Sequence, residues 1–210
     1  MFYIGAWFSE NYDKAVFSII KQNLQNIKKH YHLIDFKYFE SKTDYYDIEN
    51  ELISLFNNRC YISNRRVFSQ DRRPAKNIKA CPNIIMNFWN RDTSRIDRLR
   101  EKNIPIEGIS IRNPEQNPQK WEKQEHSTIC LGHNYYVDKT DFFKALQKAA
   151  AQKRVTIEDK LQNRADIYDL IYNMDKDNMD KAKINKFSDA VLAVALPVWF
   201  KETIRIIRRY

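Results

Sequence analysis

Apolar and polar positions divide the chain into short segments with two different periods. Residues 2–8 and 15–21 are dense in aromatic and β-branched side chains and flank the polar run Ser9-Glu10-Asn11-Tyr12-Asp13, which predicts two strands joined by a turn. Over residues 32–39, Leu33, Asp35, Lys37 and Phe39 alternate with Ile34, Phe36 and Tyr38, the pattern of a third strand with two unlike faces. The period then changes. Ile48, Leu52, Ile53 and Phe56 recur at helical spacing behind Asp44, Asp47 and Glu49, acids that suit a helix N-terminus, so a crossover helix is expected over 44–56.

A short apolar run at 60–62, a basic loop and a strand over 83–88 come next. A helix over 91–103 and a strand over 106–111, set off by Pro105, complete a strand–helix–strand unit. Residues 113–134 contain two prolines and little aliphatic periodicity and read as a long irregular loop, at about 112–136. Beyond it the spacing predicts a helix over 138–153, a short strand over 155–157, an amphipathic helix over 161–174 and a closing helix from Ser188. The start of that last helix, 190–196, is apolar all round and belongs in a core, while Pro197 is expected to kink or split it. The expected fold is therefore one α/β domain over 1–210, with a mixed sheet of three antiparallel strands followed by parallel strands, flanked by helices.

Composition narrows the chemistry. The chain has 210 residues and is 43% hydrophobic, enough for one cored domain. It has no run of 18 apolar residues and no leader-like start, which gives the expectation of a cytoplasmic protein without a membrane partner. Cys60, Cys81 and Cys130 form no paired spacing and are expected to be reduced and structural. Three scattered glycines exclude a phosphate loop or a dinucleotide fingerprint. The formal net charge is +9, and between Arg59 and Lys102 twelve basic residues face four acids, so the excess is a patch. Arg91, Arg95, Arg98 and Lys102 are spaced to line one helix face, and Arg65, Arg66, Arg72 and Arg73 adjoin them in the basic loop. Such a surface would neutralise phosphates independently of base sequence, and DNA or another nucleic acid is the expected partner. His126, Cys130 and His133 could supply three zinc ligands, but their spacing fits no common site and no fourth ligand is evident.

The order of these pieces resembles the RNase H-like superfamily, and within it the C-terminal nuclease domain of viral large terminases. Tyr3-Ile-Gly-Ala-Trp-Phe8 and the segment 11–20 are similar to its first hairpin, and Ile84-Ile-Met-Asn87, 94–99 and 104–109 to its middle strand–helix–strand. Segments 137–146 and 154–157 are similar to its later helix and strand, and Phe187-Ser-Asp-Ala190 to the start of its acid-bearing closing helix. The resemblance implies a cluster of carboxylates holding two divalent metals, Mg²⁺ or Mn²⁺. Trp7 and Asn87 fall where two of those acids belong, and only Asp189 falls on an acid. A degenerate nuclease that needs no cofactor is one reading, with Trp7 as a core aromatic. A working endonuclease using Asp189 with Glu10, Asp13 and Asp92 is a second, and a protein-interaction scaffold, with a protein partner, is a third.

Overall fold

The computed structural model describes residues 1–9, 14–25, 28–40, 43–67, 76–89, 92–112, 128–131, 133–172 and 188–207. Among them, strands run over β1 (Phe2–Phe8), β2 (Ala15–Gln25), β3 (Lys28–Phe39), β4 (Ser63–Val67), β5 (Lys76–Ala80), β6 (Asn83–Asn87), β7 (Ile106–Arg112), β8 (Thr128–Leu131), β9 (Asn134–Asp138) and β10 (Val155–Ile157). The helices are α1 (Tyr45–Asn57), α2 (Ser94–Glu101), α3 (Lys139–Ala151), α4 (Arg164–Tyr172) and α5 (Ser188–Ile207).

Eight strands form one sheet in the order β10-β3-β2-β1-β6-β7-β9-β8, and β4 and β5 form a separate hairpin. The pairs β1–β2 and β2–β3 are antiparallel, whereas β1–β6, β6–β7 and β7–β9 are parallel. This is an RNase H-like arrangement of an α/β sheet: an antiparallel meander, then parallel strands added beside the first. Helices cover both faces, as strands buried on two sides require. Ile48, Leu52 and Leu55 of α1 and Ile96 and Leu99 of α2 pack on one face, with Ile4, Ala6, Phe17 and Ile84. The other core joins Tyr3, Trp7, Ile20 and Ile85 to Phe142 and Leu146 of α3, Ile167 of α4, and Val194 and Trp199 of α5.

Several expected elements take a different form. Arg65 and Arg66, expected in a loop, lie on β4, opposite Ile78 and Asn77 of β5. The irregular stretch is shorter than expected, because β8 and β9 pair antiparallel at the edge of the sheet and β9 adds to β7. The run at 60–62 is mostly one 3-10 turn, Arg59–Tyr61. Strict alternation in β3 fails at Ile34, an extra residue between the pairs Ile19–Asp35 and Ile20–Leu33. Such a bulge turns the strand, so Phe36 and Tyr38 join the core that Leu33 belongs to. Helix α2 starts later than expected because the Asp92 carboxylate accepts from Ser94 N–H at 3.0 Å. It stops earlier because Asn103 turns left-handed at φ 62° and Ile104 N–H returns to the Leu99 carbonyl. Likewise α4 starts later than expected, at Arg164; it is described to Tyr172, and residues 173 and 174 lie outside the described residues.

Pro197 does not split the closing helix, which runs unbroken from Ser188 to Ile207. A proline has no N–H for the carbonyl four residues back, here that of Ala193. The hydroxyl of Ser18, itself fully buried, donates to that carbonyl at 2.7 Å and replaces the missing bond. Gly5 leaves the room: a Cβ there would stand 1.9 Å from the Ala193 oxygen and 2.8 Å from Pro197 Cδ. Three residues distant in sequence thus seat the backbone of α5 directly on β1 and β2.

Candidate functional site

The parallel pairing of β1 with β6 brings Ala6 beside Met86, so Trp7 and Asn87 are neighbours one residue further along. Across β2, Trp7 pairs with Val16 and Val16 with Tyr38, which carries the row to β3. Asp189, in the first turn of α5, stands close enough that its charge, added to the larger effect of burial, pushes the Tyr38 phenol up to about 12. The fold therefore gathers Trp7, Asn87 and Asp189 at one end of the sheet, the end where the resemblance places a metal centre.

Those side chains do not fit Mg²⁺ or Mn²⁺. Trp7 is 5% exposed and meets Trp89 edge to face, with ring centroids 5.5 Å apart. Its ring supplies no oxygen, and hard divalent ions take oxygen ligands. The Asn87 amide is used on both sides: its Oδ1 accepts from Phe8 N–H at 2.6 Å and its Nδ2 donates to the Phe8 carbonyl at 2.8 Å. Trp89 Nε1 donates to that same carbonyl at 2.9 Å. An aspartate at 87 could keep the first contact but not the second, so the asparagine closes the end of β1 onto β6 in a way an acid cannot. Of the further acids, Asp92 is exposed and serves the start of α2, where the hydrogen bonds from Ser94 hold its carboxyl below the usual range. Glu10 and Asp13 lie outside the described residues. Among the described residues no three His, Cys, Asp or Glu side chains converge as a metal site would require.

The cations of α2 face a neighbour. Glu49 of α1, only 3% exposed, pairs with Arg98 at 2.6 Å and with Lys102, while the Arg95 guanidinium lies 3.9 Å from the centroid of Tyr45. Arg98 also reaches the Tyr46 ring, at 5.4 Å. Part of the expected phosphate-binding stripe is thus spent on holding α2 against α1, and one buried carboxylate offsets one of the three charges, Arg95, Arg98 and Lys102, that lie within the described residues. Arg72, Arg73 and Arg91 lie outside the described residues, and for Arg65 and Arg66 the description is of the backbone alone. His126 is also outside them, and His133 is exposed and contacts Glu107 at 3.2 Å. Cys60 and Cys81, expected to be reduced, are free thiols, and both are exposed.

Two arginines with structural roles gave no pattern in the sequence. Arg100 donates to the carbonyls of Ile106 and His133 and to Asn134 Oδ1, tying α2 to β7 and β9. Arg154 is 4% exposed and bonds the Lys29 carbonyl and Glu202, which also accepts from the Tyr31 hydroxyl. Burial alone would raise the Glu202 carboxyl, but these hydrogen bonds and the charges of Arg154 and Lys29 outweigh it and hold the group below its ordinary value. Only the buried partners, not sequence spacing, reveal either arginine. Comparison with protein-family models, with curated proteins and with solved structures returned no match.

Proposed function

We propose that this is a nucleic-acid-binding protein, similar in arrangement to a terminase nuclease, that binds DNA or another nucleic acid through backbone phosphates and has lost its metal-dependent chemistry. The observation that carries the reading is the state of the acid positions. The RNase H-like strand order is kept, while Trp7 packs and Asn87 pins the Phe8 backbone where carboxylates would stand. The net charge of +9 supports a polyanionic partner. No helix among the described residues is long and apolar enough to cross a membrane. Our reading places the protein in the cytoplasm, or inside the host cell if it is of viral origin.

The test is binding and cleavage of a labelled duplex, with and without millimolar Mn²⁺, over a salt series, with Asp189→Ala alongside. Salt-sensitive binding without cutting is the expected result. Metal-dependent cutting that Asp189→Ala abolishes would replace this reading with an active endonuclease. Capture of a protein partner without affinity for duplex would replace it with an interaction scaffold.

A further inference from the structure

The β2–β3 hairpin outruns the sheet. Strand β1 pairs β2 only up to Phe2–Lys21, with Met1 and Gln22 bonded just beyond, and β10 pairs β3 only from Tyr31. The pairs Asn23–His30, Leu24–Lys29 and Gln25–Lys28 continue with no third strand on either side among the described residues. Three further residues per strand make a ribbon that projects about 10 Å.

Its two faces differ. Leu24 and Lys29 point to the side of α5, where Lys29 Nζ donates to the Lys201 carbonyl. The opposite face carries Lys21, Asn23, Gln25, Lys28 and His30. Of these Lys21, Asn23, Gln25 and Lys28 are exposed, and among the described residues no ion pair engages either lysine. No Asp or Glu occurs between Lys14 and Ile34, so the projecting part of the hairpin carries no acid of its own. Lys201 lies nearby, its ammonium 5.1 Å from the centroid of Tyr3, and together with Lys21 it adds to the positive field at this end of the sheet. Two acids approach the base of the ribbon, and both are engaged: Glu202 by Arg154 and Tyr31, and Glu158 by His32, the residue opposite Lys21. Leu24, on the α5 side, is 67% exposed, as a single surface aliphatic residue can be.

Lysines that form no ion pair among the described residues, with side-chain amides on the same face of a two-stranded ribbon, form a set with a physical match. A duplex major groove is wide enough to admit such a ribbon, its walls are phosphates, and base edges there accept and donate to Asn and Gln amides. We infer that the projecting β2–β3 ribbon, through Lys21, Asn23, Gln25 and Lys28, is a duplex-binding arm that enters the groove of a nucleic acid. This deepens the proposed nucleic-acid reading and rests on it. It also moves the main contact away from α2, whose cations are partly spent on α1.

The experiment measures binding of the full chain to a labelled duplex of about two helical turns, over a salt series. The proteins are the wild type, Lys21→Ala/Lys28→Ala, Asn23→Ala/Gln25→Ala, and a control of equal charge loss on other exposed lysines, Lys148→Ala/Lys160→Ala. Each lost phosphate contact should lower the salt slope by ~0.9, so the ribbon lysine variant should lose about 2 in slope and on the order of tenfold in affinity. The control should keep its slope, and the amide variant should lose affinity without a change in slope. An equal drop in the control would overturn the arm while leaving nucleic-acid binding in place, since charge alone would then be acting. A wild type that does not bind duplex would overturn the underlying reading together with the arm. Binding to phosphatidylserine vesicles but not to duplex would instead assign the ribbon to a membrane surface.

Discussion

Strand β2 is two different objects along its eleven residues. From Ala15 to Ile20 every residue is buried, and the one polar side chain, Ser18, is bonded to Ala193. From Lys21 to Gln25 the same strand is polar except for Leu24, and four of the five residues are exposed. The first half is covered by α1 on one face and α5 on the other, the second by neither. Hydrogen-bonded pairing to β3 continues through both, so β-structure by itself does not decide the difference. Cover does: where helices lie on the strand, each group has an assigned partner, and where they stop, its side chains are available to something else.

Substitutions on either side of Lys21 should therefore differ sharply in cost. The largest effect is expected from Gly5→Ala, because the added carbon would meet the Ala193 carbonyl backbone at 1.9 Å, and backbone cannot move aside as a side-chain end can. A loss at or above the ~1–3 kcal/mol typical of overpacking should show in urea unfolding, and an unchanged midpoint would disprove the close seating of α5. Next is Ser18→Ala, which leaves the Ala193 carbonyl buried without its hydroxyl partner and should cost about 1–3 kcal/mol. Adding Pro197→Ala restores an N–H within the helix, so the double variant should be more stable than the sum of the two single effects. Strict additivity would mean that Ser18 and Pro197 are not coupled.

A smaller effect is expected from acid. Glu202 has its folded-state value depressed, so its contribution is present above the ordinary glutamate range of ~4.3 and is lost as pH falls through the lower folded value. Melting temperature should drop over that acid window, and Glu202→Gln should flatten the drop. A parallel curve would show that Glu202 is not the responsible group. The smallest effect belongs to the ribbon. Leu24→Ser and Asn23→Ala should each change stability by no more than about 0.5 kcal/mol, as exposed positions do, and a larger loss would mean that the arm is packed against something.

How far the sequence discloses this molecule depends on where each signal is stored. Strands β1 and β10 sit where aromatic and β-branched residues cluster, and the all-round apolar stretch of α5 announces a buried helix. Their signals are local. By contrast, the outer part of β2 reads Gln22-Asn23-Leu24-Gln25, which has no strand-like composition and is held by pairing with the basic start of β3. The β4–β5 hairpin is hidden in the same way, since Arg65 and Arg66 look like a loop until Asn77 and Ile78 are opposite them. At the candidate site the types of Trp7, Asn87 and Asp189 were legible, and so was the departure from a set of acids. That Asn87 holds Phe8 was not, because the two are 79 residues apart. Spacing along α2 likewise revealed a basic stripe but not Glu49, which shares no periodicity with it.

The seating of α5 also bears on how the chain folds. Ser18 and Ala193 are 175 residues apart, and the helix that covers the first two strands comes from the far end of the sequence. Until that helix has been synthesised, the apolar side of β1 and β2 has no lid, and a nascent chain must carry it exposed. Contacts of such sequence separation slow folding, because a long loop must close before they repay its entropy. Emergence of that closing helix, not of the early strands, is therefore the point at which this sheet can become stable, and the uncovered strands are the aggregation-prone surface before it.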